Sequence, residues 1–265
     1  MGGVVSTLDG TTGMFALMAN AVVMNLLQLA AYGVITPFSR DAFRRLNWYI
    51  CYLSWAPLVA WGERTTRLVL HGNAQDWAQL SRDRALVLSN HIAGMDWLMM
   101  WAVTERTGGL PACKLCSRYT SPYLLTIFAE GTRKTAAKLK RSQEFAKSKG
   151  WKVLQNVLLP KTKGFTASVN ALGDQLDSVF DVTLVSPPGL EPTLGSVLRG
   201  RLGELHILLN RIPFASIPRR DEAGLDAWLR QRWATKDERI SGFLSSDAVQ
   251  EEDATKRCAY IERYI

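Results

Sequence analysis

The feature that most limits this chain is an uncharged run of 22 residues, Met14 to Ile35, followed closely by Pro37. A helix rises about 1.5 Å per residue, so a run of this length reaches across the hydrocarbon core of a bilayer. Asn20, Asn25 and Gln28 dilute it. Two placements are therefore open, a helix that spans the bilayer and one that lies partly in its interface. A cleaved signal peptide fits poorly, because residues 1–13 hold no Lys or Arg and the apolar run is too long for an h-region.

Arg40, Arg44 and Arg45 follow the run and no basic residue precedes it. The positive-inside rule then puts the amino terminus outside or in a lumen, and the rest of the chain in the cytosol. Trp48 to Trp61 is a second uncharged stretch, with Trp48, Tyr49, Tyr52, Trp55 and Trp61. It is short for a span and its aromatics suit the head-group level, which predicts a membrane-embedded or interfacial helix. A buried helix of a soluble domain is the structural alternative. Met1-Gly2-Gly3-Val4-Val5-Ser6 fits the loose myristoylation pattern, but the hydrophobic segment beside it makes a lipid anchor redundant.

From residue 64 the pattern is α/β. Short apolar strands are expected at Ala85–Leu88, Tyr123–Phe128, Asn156–Leu159, Val179–Val185 and His206–Ile212. Helical stretches fall at Met95–Thr107 and Lys134–Lys149, the latter stopped by Gly150. Alternation of this kind implies a mixed, largely parallel sheet covered by helices and preceded by N-terminal membrane helices. The division expected is 1–63 for those helices, 64–220 for the α/β domain and 221–265 for a C-terminal helical tail.

Charge and cysteine narrow the chemistry. With 32 basic and 24 acidic residues the net charge is +8, which favours anionic partners: nucleic acid, lipid head groups or phosphorylated small molecules. No nucleic-acid motif accompanies the charge, so no nucleic-acid partner is expected. Cys113 and Cys116 form a C-x-x-C, with Cys51 and Cys258 elsewhere. A zinc site would need further ligands at matching spacing, so the cysteines read as reduced thiols and no metal is expected.

Two segments carry residues suited to chemistry. In Asn90-His91-Ile92-Ala93-Gly94-Met95-Asp96 a histidine leaves a strand and an aspartate opens the next helix. Such a carboxylate can fix the imidazole tautomer and stabilise the imidazolium formed when the histidine takes a proton. The structural alternative is that His91 caps the helix start while Asp96 satisfies backbone amides. In Phe128-Ala129-Glu130-Gly131-Thr132-Arg133, at the end of the following strand, Gly131 permits a tight turn and Thr132 and Arg133 can hold phosphate. Its alternative is a solvated turn with an exposed Arg.

In this order, the segments resemble the glycerolipid acyltransferase family, of the 1-acylglycerol-3-phosphate acyltransferase type and its eukaryotic branch. Asn90, His91 and Asp96 match its N-H-x-x-x-x-D block. Phe128, Glu130, Gly131, Thr132 and Arg133 match its F-P-E-G-T-R block, with Ala129 where Pro is usual. Val157-Leu158-Leu159-Pro160 matches an apolar strand ending in Pro; Lys161–Phe165, Phe180–Thr183 and Trp233–Asp237 also look like that branch. The family normally has a few dozen more residues between the first and third blocks. The shortening falls near Pro111 to Leu115 and removes the second block, whose arginine role is not transferred to Arg118.

The resemblance implies transfer of a fatty acyl group from acyl-CoA, a co-substrate and not a cofactor, to the free hydroxyl of a lysophospholipid, with lysophosphatidic acid foremost. It makes His91 the general base and Asp96 its orienting partner. Glu130 would order the turn or contact glycerol, and Thr132 and Arg133 would bind phosphate, with Lys161 and Lys163 as further phosphate or CoA contacts. It implies an endoplasmic-reticulum membrane location with the catalytic domain cytosolic. The alternative it leaves is a truncated, non-catalytic relative acting as a membrane-bound binding protein.

Overall fold

A computed structural model describes residues 10–107, 122–186, 193, 195–196, 204–219 and 221–245. Its main elements are α1 (Gly10–Ile35), α2 (Arg40–Thr65), β1 (Arg67–His71), α3 (Ala74–Gln79), β2 (Arg84–Ser89), α4 (Asp96–Arg106), β3 (Tyr123–Phe128), α5 (Ala136–Ser148), α6 (Thr162–Leu172), β4 (Ser178–Val185), β5 (Glu204–Pro213) and α7 (Glu222–Ser245). The myristoylation pattern, the Cys113–Cys116 pair, Cys258, Arg118 and the Pro111–Leu115 junction lie outside the described residues. Contacts divide the chain into two units: Met1–Arg67 with Gly94–Ala112 and Leu190–Glu204, and Leu68–Ala93 with Cys113–Gly189 and Leu205–Ile265.

In the first unit α1 packs against α2. Among the described helices only α1 holds a stretch long and apolar enough to cross a membrane, the 21 residues Phe15–Ile35. The polar residues that dilute it are spent internally. Asn20 Nδ2 donates to the Ser54 carbonyl at 2.9 Å and its hydroxyl at 3.1 Å, Gln28 Nε2 donates to Cys51 Sγ at 3.1 Å, and Asn25 Nδ2 returns to the Ala21 carbonyl at 2.7 Å. Such pairing is what a low-dielectric surrounding requires of a helix side chain. The Trp48–Trp61 stretch is the middle of α2, whose start is capped by the Ser39 hydroxyl accepting from the Ala42 amide. Trp55 of α2 meets Trp97 and Trp101 of α4 edge-on, at 5.0 and 5.6 Å between centroids.

The second unit is built on a five-stranded sheet of order β1-β5-β4-β2-β3. β2 pairs in parallel with β3 on one side and β4 on the other, while β4 and β5 are antiparallel. All eight residues of β4 are buried, as expected of a strand covered on both faces. The chain passes from β2 to β3 on one side and later returns to β4 on the other. The carboxyl end of β2 is therefore a switch point, the place where open α/β sheets bind ligands.

Helices α6 and α7 cover this sheet, with Phe165 stacked on Trp228 at 5.5 Å. α7 buries Leu225, Leu229, Trp233, Lys236, Asp237 and Ile240, a stripe at helical spacing that is apolar except for one charged pair of residues. α5 ends as expected at Gly150 (φ 66°), with the Trp151 amide donating to the Ala146 carbonyl and the Gly150 amide to that of Lys147. This is a Schellman closure, in which a left-handed glycine satisfies the last carbonyls.

One strand expectation fails. Asn156–Leu159 is irregular. The amides of Gln155 and Asn156 donate to the Asp237 carboxylate and that of Leu159 to the Ser142 hydroxyl, so side chains and not a neighbouring strand take these donors.

Candidate active site

His91 is delivered by the side chain before it. Asn90 is fully buried, its Nδ2 donating to the Leu184 carbonyl at 2.9 Å and its Oδ1 accepting from the Leu184 amide at 2.8 Å. The amide imitates a peptide group and prolongs the β2–β4 ladder, so that the Leu184 amide and carbonyl keep partners where the chain turns away at His91. The His91 imidazole is half-buried beside the Phe128 ring, at 4.7 Å between centroids. The other two histidines pair with each other, His71 Nε2 to His206 Nδ1 at 3.0 Å, against Phe243.

The turn after β3 meets the same loop. The Lys134 amide donates to the His91 carbonyl at 2.9 Å, and the His91 amide reaches the Glu130 carboxylate at 3.4 Å. Two segments 39 positions apart in sequence are thereby joined through backbone. Gly131, at φ 67°, closes the turn with its amide on the Phe128 carbonyl. A Cβ there would also stand 3.0–3.3 Å from the end of the flexible Lys161 side chain, which would have to shift, so it is the left-handed conformation that calls for glycine.

Glu130 points inward. Burial pushes its carboxyl up to about 7, against the His91 amide, the Trp233 indole N–H, the Leu158 amide and the Lys134 charge, which all favour ionisation. Thr132 is half-buried with its hydroxyl accepting from Lys138 Nζ, and Arg133 is exposed. Lys134 Nζ instead holds the Asn156 carbonyl at 2.8 Å. Lys161, whose amide donates to the Ala129 carbonyl at 2.6 Å, lies against Gly131, whereas Lys163 sits on the exposed first turn of α6. An imidazole can take a proton and a threonine hydroxyl and an arginine can hold an anionic group, so the loop and the turn joined to it carry side chains of both kinds.

Asp96 belongs to the first unit. It is the buried first residue of α4, where the helix dipole favours a carboxylate. No group of three or more His, Cys, Asp or Glu suited to a metal occurs among the described residues. Trp233, which donates to Glu130 at 3.4 Å, was not singled out for the site from sequence. Its signal is an aromatic N–H on the same apolar stripe as a lysine.

Comparison with known proteins gives one family match, two relatives and one solved structure. Residues 196–264 match the family described as acyltransferase C-terminus. The chain is 26% identical to 1-acyl-sn-glycerol-3-phosphate acyltransferase 3 of Arabidopsis thaliana over 273 positions, covering 86% of this chain and 72% of that one. It is 29% identical to 1-acyl-sn-glycerol-3-phosphate acyltransferase delta of Mus musculus, covering 84% and 70%.

The chain is similar to the 1-acyl-sn-glycerol-3-phosphate acyltransferases.

It is thus acyltransferase-like over most of its length, in keeping with the resemblance carried by His91, Asp96 and Glu130–Arg133. The crystal structure of the 1-acyl-sn-glycerophosphate (LPA) acyltransferase PlsC from Thermotoga maritima aligns with a TM-score of 0.42 at 13% identity, covering 86% of this chain and 98% of that one.

Proposed function

We infer that this chain transfers a fatty acyl group from acyl-CoA to the free hydroxyl of lysophosphatidic acid at a membrane. The observation that carries the reading is the backbone junction between His91 and the Glu130–Lys134 turn at the carboxyl ends of adjacent parallel strands. In this reading His91 removes the hydroxyl proton as the oxygen attacks the thioester carbonyl. The proton passes to the imidazole, the thiolate of CoA departs, and no acyl-enzyme forms. Asp96 orients and stabilises the imidazolium. Thr132 and Arg133 hold the phosphate, with Lys161 beside them, and Glu130 holds the turn. α1 anchors the chain in the endoplasmic-reticulum membrane with the second unit in the cytosol.

Labelled acyl-CoA and lysophosphatidic acid, supplied to membranes holding the full chain, test this reading. Transfer is expected, with His91→Ala reducing it by about 10³-fold or more, the scale of losing a general base. Unchanged turnover in that variant would refute the assigned mechanism.

A second reading has its own observation. The Arabidopsis match runs over 273 positions, more than this 265-residue chain contains, so the relative carries positions without a counterpart here. If they include a segment the chemistry needs, the chain is a non-catalytic binding protein. That reading predicts no transfer by the natural chain and transfer once a relative's additional segment is grafted in.

A further inference from the structure

We propose that Trp233 and Lys236, one turn apart on α7, are positioning residues for the His91 loop, Trp233 acting through the Glu130 carboxylate and Lys236 through the strand ends that launch the loop. The inference rests on the acyltransferase reading above. Lys236 has no solvent exposure, and its Nζ donates to the carbonyls of Leu88, at 3.1 Å, and Val182 while pairing with Asp181. Leu88 and Asp181 are register partners of β2 and β4. The ammonium therefore spans the last turn of the parallel ladder, three residues before His91. A buried charge of this kind is costly and is held only by full pairing, so it fixes the strand ends tightly. Trp233 donates its indole N–H to the same Glu130 oxygen that takes the His91 amide. One helix face thus fixes both sides of the loop, through the strand that precedes it and the carboxylate that holds its first residue.

The groups facing Glu130 are the amides of His91 and Leu158, the Trp233 indole, Lys134 and, through its field, Lys236 with its partner Asp181. Replacing the indole by a phenyl ring keeps an aromatic in the core but removes one donor to the carboxylate. That disfavours ionisation and moves the acid limb of activity to higher pH, a change that loss of packing alone does not produce.

The experiment uses the full chain in membranes: wild type, Trp233→Phe, Lys236→Met, and Lys236→Met with Asp181→Asn. Acyl transfer is followed across pH, and hydrogen–deuterium exchange is followed in segment 84–95. In Trp233→Phe the acid limb is expected to rise and the segment to exchange faster. In both Lys236 variants kcat is expected to fall by about 10-fold or more with little change in KM for lysophosphatidic acid, the effect of misplacing a catalytic group. The double variant carries no buried unpaired charge and is expected to fold. Should neither Lys236 variant fold, Trp233→Phe decides the matter. Wild-type pH profile, turnover and exchange in the folded variants would overturn the proposal. If the wild type transfers no acyl group, the functional reading fails instead. The positioning claim then stands or falls on faster or unchanged exchange in segment 84–95.

Discussion

Glu130 sits where a carboxylate is expensive, 2% exposed and with one oxygen lacking a hydrogen-bond partner. Its folded value of about 7 stands above the ordinary 4.5. The native state therefore binds more protons than the unfolded chain between those values, and stability falls as pH rises through that window. A shift of this size amounts to about 3 kcal/mol, present below pH 4.5 and lost above about pH 7. Glu130→Gln is expected to abolish that slope, so its thermal midpoint should gain on the wild type as pH rises from about 4.5 to about 7 and hold that gain above it, while acyl transfer falls. Parallel melting curves of the two proteins from pH 5 to 8 would contradict this. From sequence, Glu130 is expected to order the turn or contact glycerol, and Thr132 and Arg133 to hold phosphate. The fold sends Glu130 inward to the His91 amide and leaves Thr132 half-buried and Arg133 exposed, a division set by burial that adjacency in sequence does not encode.

At the scale of elements, the strands and helices that were legible are those whose apolar pattern repeats. Tyr123–Phe128 matches the expectation residue for residue, and Val179–Val185 differs by one. Asn156–Leu159 shows the limit of pattern. Val157 and Leu158 are buried, but the amides here are claimed by Asp237, on a helix far along the chain, and by Ser142. Asp237 also fixes the loop that brings Lys161 against Gly131. Asp237→Ala is expected to cost about 2–4 kcal/mol, since the Gln155 and Asn156 amides lose a charged acceptor. It should also weaken the apparent affinity for lysophosphatidic acid. Denaturant titration and KM measurement check the two effects, and a variant as stable as the wild type would contradict the account of this loop.

For the whole molecule, the decisive asymmetry is that of α1 and the arginines after it. Arg40, Arg44 and Arg45 follow the apolar helix, and the orientation proposed above, with the second unit in the cytosol, rests on that charge. A glycosylation acceptor fused ahead of α1 is therefore expected to be modified in microsomes, while added protease digests the second unit; an unmodified acceptor with a protected second unit would reverse the orientation. The chain by itself determined the apolar helix, the α/β alternation and the His91 and Glu130 segments, because each is written in local spacing. Only the tertiary structure decided that His91 and Glu130 share a junction and that α7 supplies the buried Trp233, Lys236 and Asp237 contacts behind it. Those contacts join residues about 100 or more positions apart in several cases, and their strength comes from removing charge and amides from water. That exclusion exists only once the sheet and its covering helix have assembled.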